Sequence, residues 1–130
     1  MAKKVSTKKR VVLLDTHAII HRAYHALPDF TGPTGTPTGA LYGLVAMLLK
    51  IITDLKPDYI AAAYDLPEPT FRHAAYEKYK IQRPEMASDL AQQVRRSYDF
   101  LKAFSIPVFE HPRFEADDII GTLAEKAKKQ

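Results

Sequence analysis

Apolar residues along this chain fall into two alternating patterns, short unbroken runs and longer stretches with helical spacing. Val11-Val12-Leu13-Leu14 is an unbroken, partly β-branched run of the kind found in a strand buried on both faces of a parallel sheet. Tyr59-Ile60-Ala61-Ala62-Ala63-Tyr64 is a second such run, and Pro107-Val108-Phe109 a short third. Between them the spacing lengthens. Thr38 is placed to cap a helix reaching about Leu55, with Leu41, Leu44, Val45, Leu48, Leu49 and Ile52 on its inner face. Ser88 is placed to cap another reaching about Phe104, with Leu90, Val94, Tyr98 and Leu101 inward. Shorter helices are expected from His17 to about His25 behind a Thr16 cap, from Phe71 to Tyr79, and from Glu115 to Lys129. The Pro- and Gly-rich segment from Pro28 to Pro37, the segment from Leu66 to Thr70 and the Arg83-Pro84 step read as loops or breaks.

The predicted order is β-α-α-β-α-α-β-α. Strands alternating with helices define an α/β fold, a parallel sheet with helices on both faces. In such sheets the functional site lies beyond the carboxyl ends of the strands. Asp15 and Asp65 are the first polar residues after their strands, and Glu115, Asp117 and Asp118 open the helix after the third. One edge of the sheet is thus expected to collect all five acids. Within the helix, residues three apart share a face, so Glu115 and Asp118 are expected to point together with Asp117 to one side. Carboxylates of this kind suit Mg²⁺ or Mn²⁺, and a pair of such ions suits phosphodiester hydrolysis. Each acid also has a plainer use: first-turn acids stabilise a helix dipole, and Asp after a strand is ordinary turn chemistry.

Composition narrows the alternatives. A chain of 130 residues, 46% hydrophobic and 26% charged, suits one soluble globular domain. The absence of cysteine excludes disulfides, Cys-ligated zinc and iron–sulfur clusters. No apolar stretch is long enough to cross a bilayer and no signal peptide is apparent, which fits a cytoplasmic protein. The net charge of +4 is unevenly spread. Lys3, Lys4, Lys8, Lys9 and Arg10 form a basic arm over residues 1–10, expected to be disordered, and Arg72, Lys78, Lys80 and Arg83 form a second cluster. Basic surface beside an acidic pocket suits a polyanion held by its phosphates. Phe71, Tyr76 and Tyr79 interleave with those cations and can either stack on unpaired bases or pack into the core. Gly39 and Gly43 at a helix start can expose amides to a phosphate or allow close helix packing. Arg22 and Tyr24 can be surface or substrate contacts. His17, His21 and His25 recur every fourth residue, and a mixed helix surface accounts for them.

Six segments in order carry a family resemblance: Val11-Val12-Leu13-Leu14-Asp15, Arg22-Ala23-Tyr24-His25-Ala26, Pro37 to Gly43, Asp65 with Thr70-Phe71-Arg72, Tyr79-Lys80-x-x-Arg83-Pro84, and Glu115-Ala116-Asp117-Asp118. Together they resemble the N-terminal 5′-nuclease domain of bacterial DNA polymerase I, of the flap-endonuclease type. The resemblance implies a PIN-like, resolvase-like fold over residues 11–130. It also implies Mg²⁺-dependent (or Mn²⁺-dependent) hydrolysis of DNA 5′ ends, flaps and nicked or branched duplexes in replication and repair. Asp15, Asp65, Glu115, Asp117 and Asp118 match carboxylates that hold metal, two ions in the complete domain. Arg72, Lys80 and Arg83 match contacts to the scissile phosphate or the threaded strand, with Lys80 and Arg83 also stabilising developing charge. Tyr79 matches a stacking position, and Gly39 and Gly43 fall in the helix start that meets DNA.

Two departures stand out. His17 occupies a position where small residues are usual, and Ala87 replaces a proline after Met86. In the family a further strand ends in Thr-Gly-Asp-x-Asp and supplies more carboxylates, and a DNA-gripping element follows. This sequence reaches Gln130 before either. The expected alternatives are therefore a nuclease domain, with a polymerase domain in the parent protein, and a non-catalytic DNA-binding fragment of one.

Overall fold

Three parallel strands lie side by side in chain order, β1 (Val11–Asp15), β2 (Tyr59–Ala63) and β3 (Val108–Phe109). The computed structural model describes residues 8–66, 70–76 and 86–130. Five helices complete it: α1 (Thr16–Ala26), α2 (Gly39–Leu55), α3 (Phe71–Ala75), α4 (Ser88–Ala103) and α5 (Ala116–Lys128). The order is the one the hydrophobic pattern predicts. β1 and β2 pair in full register from Val11 opposite Tyr59 to Asp15 opposite Ala63, and β3 adds only Val108 and Phe109 to the far side of β2.

The core lies where the sheet meets α1, α2 and α4. Leu14 from β1 and Ala62 and Tyr64 from the β2 segment pack with Ile20, Ala40, Leu44, Leu48, Leu90, Val94 and Leu101. Tyr64 is fully buried and stacks on Tyr98 with ring centroids 4.1 Å apart. Its hydroxyl shares a 2.6 Å hydrogen bond with Ser97, and burial pushes its pKa up to about 12. Such a phenol stays neutral and serves as structure. α5 packs against β1 and β2.

Several local expectations need correction. Asp15, not Thr16, caps α1: its carboxylate accepts from the Ala18 N–H at 3.3 Å. Thr16 turns into the core, fully buried, and its hydroxyl has no hydrogen-bond partner among the described residues. Ser88 is the first residue of α4 rather than its cap, a place taken by Ala87. Thr38 does sit at the N-cap of α2, yet its side chain makes no capping bond. Gln93 of α4 supplies it instead. Leu41, Leu44 and Leu48 face inward as expected, but Leu49 is 53% exposed because it lies about 100° round the helix from Leu48. Ile52, in the last turn, is also exposed. α3 ends at Ala75 and Tyr76 is not helical, while residues 77–79 of the helix expected to Tyr79 lie outside the described residues.

The basic arm gives up its last residues to the fold. The Arg10 N–H donates to Asp58 Oδ2 at 2.6 Å, and the Arg10 carbonyl accepts from the Asp58 and Tyr59 amides. The Arg10 guanidinium reaches the Leu55 carbonyl, and Lys9 lies over the Tyr59 ring. Residues 1–7, including Lys3 and Lys4, lie outside the described part.

Candidate active site

Parallel pairing fixes where the acids go. Because β1 and β2 run in register, Asp15 ends its strand opposite Ala63, and Asp65 follows two residues later on the same edge. The chain leaves β3 and turns back to start α5 at this edge, where the Ala116 N–H donates to Asp65 Oδ1 at 2.7 Å. Asp65 thus binds the first turn of α5, using an amide that the helix leaves unpaired.

Glu115 caps α5 and Asp118 reaches back to it, Oδ2 accepting from the Glu115 N–H at 2.9 Å in a capping box. The two side chains point together, as their spacing predicts, and Asp117 is exposed to one side. What lies between them is a cation from the chain itself. Arg72 Nη1 donates to Glu115 Oε2 at 2.5 Å and to Asp118 Oδ2 at 2.8 Å, while Nη2 donates to Asp118 Oδ1 at 2.8 Å. Hydrogen bonding from Arg72 is the main reason that the Asp118 pKa lies below its ordinary value, against the opposing effect of burial. α3 is held in place for this: the Phe71 N–H donates to the Arg113 carbonyl at 2.8 Å, and the Phe71 and Phe114 rings lie 5.7 Å apart.

On the other side of Asp65 stands His17. Its Nδ1 accepts from the Asp65 backbone N–H at 3.1 Å and lies 4.0 Å from Asp65 Oδ2. Its ring is edge-on to Tyr64 at 5.5 Å and 6.3 Å from His21. Burial, opposed by Asp65, lowers the His17 pKa, so the imidazole is neutral at pH 7 with its proton on Nε2. The helix stripe read as mixed surface therefore holds one residue that belongs to the acidic edge. The signals for it are His17's place two residues beyond a strand-ending Asp and its standing where small residues are usual.

Gln93 is the second residue missed. It is 2% exposed, and its Oε1 accepts from the Ala40 N–H at 2.7 Å and the Leu41 N–H at 3.2 Å. A glutamine between Leu90 and Val94 on an inward helix face is a signal, because a buried amide demands a partner. This bond takes up the Ala40 and Leu41 amides of the first turn of α2. The glycines there allow close packing: a Cβ on Gly43 would sit 2.4 Å from the Ala23 Cβ, and one on Gly39 would sit 2.9 Å from the Pro28 carbonyl oxygen. Arg22 is exposed on α1. Tyr24 donates to Asp89 at 2.9 Å, which makes it an α1–α4 tie. Tyr79, Lys80 and Arg83 lie outside the described residues.

The donor chemistry of this edge suits a hard cation, but the arrangement does not yet provide a site for one. Among the described residues no three His, Asp or Glu side chains are grouped so as to hold a metal ion. Asp15 is turned to its own helix, Asp65 to Ala116, and Glu115 and Asp118 to Arg72.

A parallel α/β domain with an acidic carboxyl edge is the class these features define. The chain belongs to the family described as 5′-3′ exonuclease, N-terminal resolvase-like domain, whose model matches residues 10–130. It is 39% identical over 123 residues to DNA polymerase I of Bacillus caldotenax, covering 95% of this chain and 14% of that protein. It is 38% identical over 118 residues to a 5′-3′ exonuclease of Aquifex aeolicus (strain VF5), covering 91% of this chain and 41% of that protein. The chain therefore spans less than half the length of either relative. Among solved structures it resembles T5 D15 protein co-crystallised with metal ions, with a TM-score of 0.60 and 15% identity over 90% of this chain and 44% of that one. A T5 5′-exonuclease with zinc bound matches with a TM-score of 0.59 and 17% identity, over 91% of this chain and 44% of that one. These two likenesses show a shared fold. No helix among the described residues is long and apolar enough to cross a membrane.

Proposed function

We propose that this chain is the N-terminal part of a divalent-metal-dependent 5′ nuclease that hydrolyses phosphodiester bonds at DNA 5′ ends and flaps. The observation that carries the reading is the shared edge: Asp65 is hydrogen-bonded to the first turn of the helix that bears Glu115, Asp117 and Asp118. Asp15 ends the neighbouring strand. Relatives named as a 5′-3′ exonuclease and as DNA polymerase I support the activity and a polymerase domain in the parent protein. The metal-bearing T5 structures support a divalent ion, which we take to be Mg²⁺ or Mn²⁺, two in the complete domain. Asp15, Asp65, Glu115, Asp117 and Asp118 are the proposed metal-facing carboxylates. Lys80 and Arg83 are proposed to meet the scissile phosphate, Tyr79 to stack on the 5′ strand, and Arg22 to hold DNA backbone. Replication and repair in the bacterial cytoplasm are the setting proposed.

The second reading, a DNA-binding fragment without turnover, is favoured by one observation: among the described residues the acids are engaged elsewhere and form no metal-holding group. Incubation of the 130-residue chain with a 5′-flap substrate and Mn²⁺ separates the two. Cleavage by the parent and not by Asp118→Ala establishes the nuclease. Flap binding without cleavage establishes the fragment.

A further inference from the structure

We infer that Arg72 is an internal counter-ion of the acidic edge, competing with a divalent cation for Glu115 and Asp118. The inference rests on the metal-site reading proposed above. A guanidinium is planar and presents its N–H groups as a fork, so it can satisfy two carboxylates at once. Arg72 does so here through Glu115 Oε2 and both oxygens of Asp118, at 2.5 to 2.8 Å. Those are the oxygens a hard cation would use, at roughly 2.0–2.1 Å for Mg²⁺. A carboxylate oxygen facing a guanidinium nitrogen at hydrogen-bond distance cannot also face an ion at ligand distance without bringing two positive charges together. Each cation therefore weakens the other's hold on the two acids.

Departure is open to Arg72. Its side chain is 34% exposed, against 10% for Glu115 and 21% for Asp118, so the acids stay in the wall while the guanidinium has a path to water. Leaving costs neither the cap nor the α3 tether. Asp118 keeps its bond to the Glu115 N–H, and Phe71 keeps its bond to the Arg113 carbonyl. A released Arg72 remains at the same edge, where a positive charge suits a phosphate. The sequence assigned Arg72 to DNA and the structure pairs it with the acids. The inference assigns it to the acids without metal and to phosphate with metal.

Mn²⁺ binding, read from the electron paramagnetic resonance signal of the free ion, tests this without any turnover. The proteins are the parent chain, Arg72→Gln, Arg72→Lys and Asp118→Asn, each also melted with and without Mn²⁺. Coupling free energies between two ligands of one protein commonly correspond to about 5- to 150-fold. Arg72→Gln is therefore expected to bind Mn²⁺ about tenfold more tightly than the parent, to melt lower without metal, and to gain more from its addition. Binding by Arg72→Gln with none by the parent is the same result in stronger form. Arg72→Lys keeps the charge but cannot fork across both acids, and its intermediate affinity carries the test if the Gln variant does not fold. If Asp118→Asn weakens binding while both Arg72 variants bind as the parent does or more weakly, the competition is overturned and the metal site stands. If Asp118→Asn binds as well as the parent, or nothing binds Mn²⁺, the metal-site reading falls and takes the competition with it.

Discussion

Replacing Gln93 by leucine removes one side chain and orphans two backbone amides. Ala40 is fully buried and Leu41 is 2% exposed, so water cannot replace the Oε1 acceptor 2.7 and 3.2 Å from their nitrogens. A buried donor left unpaired costs about 1–3 kcal/mol. The longer bond to Leu41 places that amide at the lower end, giving a gross loss of about 2–4 kcal/mol. Leucine recovers part of it, because burying such a side chain is worth about 1.5–3 kcal/mol. The expected net loss for Gln93→Leu is about 1 kcal/mol. Gln93→Glu keeps the acceptor but buries a carboxylate and loses the Nε2 bond to the Asp89 carbonyl, so it is expected to lose more. Urea unfolding followed by circular dichroism measures both, with an unchanged m-value as the sign that the two-state comparison holds. A Gln93→Leu protein more stable than the parent by about 1 kcal/mol or more would refute the capping role.

Four further outcomes are expected. Gly43→Ala should destabilise by about 1–3 kcal/mol as its Cβ meets Ala23, whereas Gly121→Ala, with nothing within 4 Å, should stabilise α5 by about 0.5–1 kcal/mol, both read by urea unfolding. Thr16→Val removes a buried hydroxyl without a described partner and should leave stability unchanged or raise it by about 1 kcal/mol; a loss above that would mean the hydroxyl is satisfied. His17, whose folded pKa lies below 6.5, contributes stability that is full above about pH 6.5 and declines as the pH falls toward the folded value. Asp65, Asp15 and Glu110 oppose that shift and His21 adds to it. His17→Gln should flatten this part of the stability profile, and an unchanged slope would place the titration elsewhere.

What was legible in the sequence was whatever one residue's period or position decides. Element order followed from apolar runs alternating with helical spacing. The shared edge followed from Asp15 and Asp65 ending strands that turned out to be parallel neighbours. The shared direction of Glu115 and Asp118 followed from helical geometry. What escaped depended on partners distant in sequence. Thr16 looked like a cap, but Asp15 reached the Ala18 amide and left Thr16 facing the core. Gln93 had to be matched with amides of a helix more than fifty positions earlier. Arg72 read as a phosphate-facing cation, and its pairing escaped because the acids it neutralises lie on another helix, brought near only by the return of the chain from β3.

The central claim is that a divalent cation and its substrate chemistry belong to the carboxyl edge of this sheet. Paramagnetic broadening of backbone amide resonances by substoichiometric Mn²⁺ maps the ion directly. The account predicts loss of signal first at Thr16, Asp65 and Ala116 to Asp118, with Arg72 affected alongside them. Broadening centred instead on acids away from this edge, such as Asp54, Asp99 or Glu125, would contradict it.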